Sequence, residues 1–406
     1  MKRLGIGLLA IVSTSVLAAT AACGSDHPAT VSPDPVVDIN QLDIGNYTIT
    51  PKVFGKPDDI EMARVAEAMR LGDSLPLPVQ IDPEAKYAPS ALGGMVRTFI
   101  DFNTQALAYR TGADLKLLAD QTPGLLYGYS TTGRTAETSL AAELDNVVMV
   151  FDSEQHATAA ADTFEKIDLG TKPDNAPVAI GKYPTAHAHA SPSEPGLLRS
   201  WYSVGRYVIF SYIYDGVMGL VGNTDMPKLV ARVEKSIDTI TPAVQKFIPV
   251  PVDQLLHIDI DPDRMLSRTL STVNVDNSQS GIPAYYSAHG GLQISSAPDD
   301  DTKLFADTGV DRVAWKGGFV YRARDVAAAR KIVEIRGRAT HRLRRVDPPR
   351  NLPFAQCRGL RVPQTVVVNF YCSVSYGRYA ATVSANQLAD VQQRISAQYA
   401  LLVNNR

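Results

Sequence analysis

The chain has 406 residues, of which 45% are hydrophobic and 20% are charged. This length and apolar content predict a large buried core divided between two domains. The formal net charge is −2, and removing Lys2 and Arg3 leaves −4, so no basic excess suggests a nucleic-acid partner.

The N-terminus has the three parts of a secretory signal peptide. Lys2 and Arg3 are followed by an apolar run over residues 4–17 and by small residues at 18–22. Cys23 follows in the position where a lipoprotein signal peptidase cuts and where the thiol accepts diacylglycerol. We therefore expect residues 1–22 to be removed and Cys23 to anchor the chain to the outer face of a membrane. The alternatives are an ordinary signal peptide with a chance cysteine, or an uncleaved anchor, for which the apolar run is shorter than the roughly 20 residues that a bilayer needs.

Residues 23–41 contain prolines, serines, threonines and aspartates but few large apolar side chains. This composition predicts a lipidated, flexible tether. As a coil it would span about 25 Å, at about 5–6 Å times the square root of its length.

Strands and helices then alternate along the first half of the chain. Residues 146–151 (NVVMVF) and 206–214 (RYVIFSYIY) predict strands, since they are rich in β-branched and aromatic side chains. Ser153 predicts the N-cap of one helix, and Asp225 that of another helix ended by Pro242.

The second half repeats this order. A strand at residues 319–321 leads into a helix from about Asp325, residues 366–370 and 378–384 predict two further strands, and a helix over residues 388–402 closes the chain. Phe151 and Tyr321 begin similar segments at an offset of 170, and Gly205 and Gly377 match at an offset of 172. Two offsets that agree this closely predict an internal duplication.

These elements predict an α+β fold of two related halves, each an antiparallel sheet with helices packed on one face. The prolines in residues 247–253 (FIPVPVD) favour an extended link. The first half is therefore predicted at 42–248 and the second at 249–406.

Two cysteines, Cys357 and Cys372, follow the lipidated one. In an exported protein an even pair predicts a disulfide, which would stabilise the second half by about 3 kcal/mol. A metal or redox pair is the weaker alternative, because the spacing is far from C-x-x-C.

Two motifs that could indicate catalysis or metal binding lack the required arrangement. Residues 128–133 (GYSTTG) are one residue away from a G-x-S-x-G nucleophile elbow, so a Ser/Thr-rich loop between a strand and a helix is preferred. His187 and His189 could offer two imidazoles to a metal, but they lie between prolines without a third nearby ligand and predict an exposed loop.

Two acidic segments also lack a complete site. Asp259, Asp261 and Asp263 begin like a calcium loop, but Arg264 and Leu270 stand where the glycine and the bidentate glutamate belong. A strand followed by a turn at the intervening proline is therefore preferred. Residues 299–301 (DDD) follow a proline and predict a solvated turn.

The densest basic segment spans residues 336–350. It predicts either a contact for anionic lipid headgroups or acidic cell-wall polymer, or a solvated linker that ends at two prolines. Its members are Arg336, Arg338, His341, Arg342, Arg344, Arg345 and Arg350.

Several segments occur in a recognisable order along the chain: residues 42–47 (LDIGNY), 128–130 leading to Asp145, 251–253, 261–263, 304–306 ahead of VYRARD, and the region of Cys357 and Cys372. In this order they resemble an uncharacterised family of mycobacterial and nocardial cell-envelope lipoproteins, a domain of unknown function. The resemblance implies an envelope location and a disulfide, and it implies no chemistry.

The sequence favours a non-catalytic, membrane-anchored binding module for an envelope lipid, a glycolipid or a protein partner. It predicts no cofactor, no metal and no catalytic residue. The alternative is an envelope hydrolase or transferase whose catalytic residues are dispersed along the chain. We expect any ligand site to lie between the halves, with strands 206–214 and 378–384 as its walls.

Overall fold

The computed structural model describes residues 34–88, 97–137, 140–272, 283–363 and 368–405. Two sheets organise this part of the chain, and residues from 34 onward belong to one compact unit. The predicted signal peptide, Cys23 and residues 24–33 of the tether lie outside the described residues.

The first sheet is antiparallel and has the strand order β1-β2-β3-β7-β6-β5-β4. Its strands are β1 (Thr98–Phe99), β2 (Leu125–Arg134), β3 (Ala142–Phe151), β4 (Ala176–Pro177), β5 (His187–Ala190), β6 (Leu197–Val204) and β7 (Tyr207–Asp215). The helices of this half are α1 (Ile60–Ser74), α2 (Pro78–Ile81), α3 (Gln105–Ala108), α4 (Leu115–Gln121), α5 (Glu154–Leu169), α6 (Gly216–Val221) and α7 (Met226–Lys246).

The second sheet is also antiparallel, with the order β11-β12-β13-β14-β10-β9-β8. Its strands are β8 (Ala284–Ser287), β9 (Arg312–Trp315), β10 (Phe319–Arg322), β11 (Leu343–Val346), β12 (Gln356–Leu360), β13 (Phe370–Tyr376) and β14 (Tyr379–Ala385). Its helices are α8 (Ala288–Gln293), α9 (Pro298–Thr308), α10 (Val326–Gly337) and α11 (Leu388–Asn404). Short 3₁₀ helices lie at Ile39–Gln41, Val252–His257 and Leu266–Arg268.

The two sheets have the same topology. If the strands of each sheet are numbered 1 to 7 in chain order, the first sheet reads 1-2-3-7-6-5-4. The second sheet reads the same when it is followed from β8 to β11. α5 and α10 each follow the third strand, and Gly205 and Gly377 each begin a two-residue turn between the sixth and seventh strands, both at φ +54°. The predicted α+β fold of two related halves is confirmed.

One detail of that prediction is wrong, because helices cover both faces of each sheet. In β3, Val148 and Val150 pack in the cluster formed with α1 and α7, whereas Val147 and Met149 pack in the cluster formed with α5. In the second sheet α11 covers one face and α8, α9 and α10 cover the other. The near-continuous apolar run of β7 indicates that both faces of the strand are covered, since a strand with one solvated face alternates apolar and polar residues.

Three predicted boundaries also differ. α7 continues through Pro242 to Lys246. The strand expected at 366–370 begins at Phe370, and no strand precedes it at residues 368–369. The tether expected to reach residue 41 is bound to the second half from Asp34 onward, where the carboxylate pairs with Arg330 at 3.1 Å and accepts a hydrogen bond from the Gly377 amide at 2.6 Å.

The disulfide prediction is confirmed. Cys357 and Cys372 are bonded to each other and stand directly opposite in the neighbouring strands β12 and β13. Both are buried in the core under α11, so the bond joins two neighbouring interior strands of the second sheet.

Candidate functional site

A cavity of about 220 Å³ lies between the two halves. The first half contributes Leu77, Pro78, Val79, Lys86, Arg97 and Thr132. The second half contributes Leu292, Gln293, Ser295, Pro298, Asp299 and Thr302. The predicted position between the halves therefore holds a cavity, but strands 206–214 and 378–384 do not line it. Helices pack against both faces of those strands.

The first-half wall depends on close packing against β2. Gly133 lies beneath Pro78, and a Cβ at Gly133 would come within 2.5 Å of the Pro78 Cβ. Tyr87 pairs with Arg134 through two backbone hydrogen bonds of 3.0 and 2.9 Å. The segment around Tyr87 is thus held along the edge of β2, which places its side chains at the cavity.

Polar contacts between the halves fix the second-half wall. Asp73, near the end of α1, accepts hydrogen bonds from the Ser287 hydroxyl at 2.8 Å and the Gly290 amide at 3.0 Å, at the start of α8. A Cβ at Gly290 would lie 2.0 Å from the Asp73 Oδ1, so only glycine permits this approach. Gln293, at the end of α8, donates to the Leu75 carbonyl at 3.2 Å and accepts from Thr131 at 2.9 Å. These bonds hold α8 in place against the first half.

Arg97 is the most buried cation of the cavity, with 8% of its surface exposed. Its Nη1 donates to the Thr132 hydroxyl and, at 3.5 Å, to the Ser130 carbonyl. No described carboxylate lies within 4 Å of its guanidinium. Burial lowers the pKa of Arg97, and the more distant charge of Asp145 opposes that shift.

The neighbouring buried arginines do have carboxylate partners. Arg110 binds Asp145 at 2.8 Å, and Arg134 binds Glu143 at 3.2 Å. Burial raises the pKa of Asp145, and Arg110, Arg97 and Arg134 oppose that shift. Arg97 is therefore the one of these three arginines that carries surplus positive charge.

The rim of the cavity carries one charge of each sign. Lys86 lies on the first-half side and Asp299 on the second-half side, and both are exposed. Leu77, Pro78 and Leu292 give the wall between them an apolar surface. The site thus combines apolar walls, an exposed rim and one buried cation, as binding pockets for small organic molecules do.

The motifs singled out in the sequence lie elsewhere or have structural roles. Residues 128–133 form the interior of β2, so the predicted loop is wrong, and Ser130 is fully buried. Glycine at 128 is needed there because a Cβ would come within 2.2 Å of the Phe99 ring.

The histidine pair lies in strand β5 and not in a loop. His187 binds Asp162 at 2.7 Å, and the fully buried His189 lies 3.5 Å from Asp168. Each imidazole thus faces its own aspartate on α5. Burial lowers the pKa of His189. Within the described ranges, no group of three His, Cys, Asp or Glu side chains is arranged to hold a metal ion.

The acidic segments are structural. Asp261 accepts hydrogen bonds from the Leu266 and Ser267 amides at 2.9 Å, and Asp263 binds Arg312 at 2.7 Å. No strand precedes their turn, contrary to the prediction.

Residues 299–301 form the first turn of α9 and not a solvated turn. A proline followed by acidic residues is favourable at a helix N-terminus.

The basic segment divides into paired and unpaired arginines. Arg336, Arg338 and Arg342 bind Asp301, Glu334 and Glu137 at 2.8, 2.7 and 3.8 Å. Arg344 and Arg345 are exposed on the edge strand β11, and neither has a described carboxylate within 4 Å. The segment thus runs from the end of α10 through strand β11 and is not a linker.

Sequence reasoning missed Arg97 and Gln293. The signal for Arg97 was a single cation in the apolar run of residues 95–100 (MVRTFI). Gln293 gave no signal, since its partners are about 160 and 218 positions away in the sequence.

Two family models match most of the chain. The domain of unknown function DUF7373, N-terminal, matches residues 54–260, and its C-terminal counterpart matches residues 265–405. No curated protein and no solved structure matches the chain. Among the described helices, none combines the length and apolarity that crossing a membrane requires.

Proposed function

Since the chain belongs to the DUF7373 family, which carries no assigned activity, we propose that it is an envelope lipoprotein that binds a small ligand between its halves. In this proposal residues 1–22 are a signal peptide of an actinobacterial secretion route, and lipid on Cys23 holds the chain at the extracytoplasmic face of the membrane. The folded part captures an envelope molecule and performs no chemistry on it.

The observation that carries the binding role is the cavity between α2, β2 and α9. Both halves build it, and hydrogen bonds that Asp73 accepts and Gln293 donates fix their relative position. Binding at a preformed site avoids the entropy cost of ordering its walls. The cavity therefore suits ligand capture.

The alternative enzymatic role has weaker support. His189 and Asp168 are the buried imidazole–carboxylate pair that most resembles a catalytic base, and both side chains are fully inaccessible to solvent. A substrate cannot reach either group without opening the core.

One feature supports the anchored location, and a second limits how far from the membrane the folded part would lie. The first 23 residues have the order of a lipoprotein signal. The chain is then bound to the second half from Asp34. The ten residues between Cys23 and Asp34 let these two positions lie at most about 40 Å apart, at roughly 3.3–3.6 Å per step along the chain. An anchor at Cys23 would keep the folded part close to the lipid surface.

Native mass spectrometry tests the binding role. The full chain with Cys23→Ala, exported behind an ordinary signal peptide, should carry a bound small molecule when it is purified without denaturation. Thr302→Trp should lower its occupancy at least about tenfold by filling the cavity mouth, since Thr302 lines the cavity from an exposed position on α9.

Lys303→Trp is the matched control, because Lys303 is equally exposed on α9 but does not line the cavity. Its occupancy should equal that of the parent chain. An unliganded parent, or an equal loss in both tryptophan variants, would contradict the proposal.

A further inference from the structure

We propose that the ligand of the cavity carries a carboxylate or phosphate group that binds Arg97, with a short apolar portion against Leu77 and Leu292. This inference rests on the proposed function and adds the chemical class of the ligand. It follows from the charges, the free hydrogen-bond donors and the size of the cavity.

The charges around Arg97 are unbalanced. Arg97 has only 8% of its surface exposed, and the described part of the chain places no carboxylate within 4 Å of its guanidinium. The neighbouring arginines Arg110 and Arg134 pair with the carboxylates of Asp145 and Glu143. A buried charge is normally paired, so the site is complementary to an external anion.

The free hydrogen-bond donors of Arg97 point to the geometry of that anion. Both hydrogen bonds from its guanidinium, to Thr132 and Ser130, come from Nη1. Nε and Nη2 have no acceptor among the described residues. A guanidinium edge with two such donors matches two oxygens of one carboxylate or phosphate.

The remaining surface is apolar and small. A volume of about 220 Å³ holds about seven groups the size of a water molecule, at roughly 30 Å³ each. Leu77, Pro78 and Leu292 are buried, so they offer contact to methylene groups. The ligand is therefore a short-chain organic acid, or the phosphate end of a larger amphiphile whose chains stay outside.

Lys86 and Asp299 at the rim affect capture in opposite directions. Lys86 attracts an approaching anion, whereas Asp299 repels it. Because both are exposed, solvent screens both effects. Arg97 should accordingly decide affinity, and Asp299→Asn should leave anion affinity unchanged or slightly higher.

A purely structural role for Arg97 makes a different prediction. In that role the side chain only fastens its segment to β2 through Thr132 and Ser130, so its replacement would lower stability without changing which ligands bind. Ligand selectivity distinguishes the two roles, and it is measurable even if the variant is less stable.

The experiment compares three probes of matched length, namely hexanoate, hexyl phosphate and hexanol. Isothermal titration at pH 7 with the full Cys23→Ala chain should give affinities for the two anions at least about tenfold above that for hexanol. Arg97→Gln should remove this difference while hexanol binding is unchanged. Arg97→Lys, which keeps the charge and loses the planar fork, should retain part of it.

The outcomes separate the two proposals. Equal affinity for hexanol and the anions, abolished by Thr302→Trp, would keep the binding cavity and overturn the anionic ligand. Unchanged anion preference in Arg97→Gln would also overturn it. No binding of any probe would overturn both. If the anions bind, displacement of hexyl phosphate by phosphatidylglycerol vesicles identifies a lipid headgroup as the source, and its absence identifies a free solute.

Discussion

At the residue scale, buried charges determine where the two halves meet. Asp73 belongs to the first half, yet its hydrogen-bond donors are Ser287 and Gly290 of the second half. Asp263 lies in the second half, ahead of its first strand, and binds arginines of β9 and β10. Both carboxylates therefore couple the fold of one part of the chain to the fold of another.

Replacing Asp73 should weaken this junction. Asp73→Ala leaves the Ser287 amide and hydroxyl and the Gly290 amide without their acceptor. We expect the free energy of unfolding to fall by about 2 kcal/mol. Asp73→Asn keeps one acceptor oxygen and should lose less. Urea denaturation measures both variants, and equal stability of Asp73→Ala and the parent would contradict the assigned role.

Asp263 should make the free energy of unfolding depend on pH. Burial alone would raise its pKa, but hydrogen bonds from Tyr285, Arg322 and Arg312 hold the pKa of Asp263 well below its usual range. A carboxyl group with a depressed pKa in the folded state contributes stability that is fully present above its unfolded pKa of about 3.9 and is lost as the pH falls below that value.

Asp263→Asn should therefore be less stable than the parent at pH 7, and the difference should shrink between about pH 4 and pH 2. Asp307→Asn is the matched control, since Asp307 is exposed and pairs only with Lys331 at 3.3 Å. Denaturation at a series of pH values tests this. A difference independent of pH would show that Asp263 is not held ionised by these partners.

At the element scale, the repeated hairpins connect sequence to fold. Gly205 and Gly377 both have φ +54°, and nothing lies within 4 Å of a Cβ built on either. Alanine at either position should therefore cost only the conformational strain of the left-handed region, about 1–2 kcal/mol. Gly55→Ala, which has open space and no positive φ, should be near neutral. Losses that differ greatly between Gly205→Ala and Gly377→Ala would contradict the equivalence of the two turns.

Much of the fold could be predicted from the sequence because its signals are local. The helix N-caps Ser153 and Asp325 and the apolar run of β7 each determine secondary structure within a few residues of their own positions. Pro242 misled the prediction because packing of Ile240 and Val244 against the core sustains α7 beyond it. Tertiary burial outweighed a local helix breaker.

The site could be predicted only in part. Its position between the halves followed from the duplication, but its residues depend on contacts between distant positions. Asp73 meets Gly290 at a separation of 217 residues, and Thr131 meets Gln293 at 162. No periodicity or motif records such pairs. Arg97 can be recognised as a buried cation without a described carboxylate partner only from the structure, in which the neighbouring carboxylates bind other arginines.

At the scale of the whole molecule, the proposed anchor makes location depend on one side chain. Cys23→Ala, carried behind an ordinary signal peptide, should move the protein from the membrane fraction to the soluble fraction, because each buried methylene of the acyl chains contributes about 0.8 kcal/mol to anchoring. Fractionation with a mass measurement of the mature N-terminus checks this. Sedimentation with membranes after the signal peptide has been removed would contradict lipid anchoring at Cys23.

The most direct test of the central claim is a crystal structure of the full, exported Cys23→Ala chain, purified from the soluble fraction with its ligand. The account predicts electron density for that ligand between α2, β2 and α9, with an anionic group at the Arg97 guanidinium. Density for the ligand wholly inside one half, or an empty cavity in protein whose bound ligand is detected by mass, would contradict it.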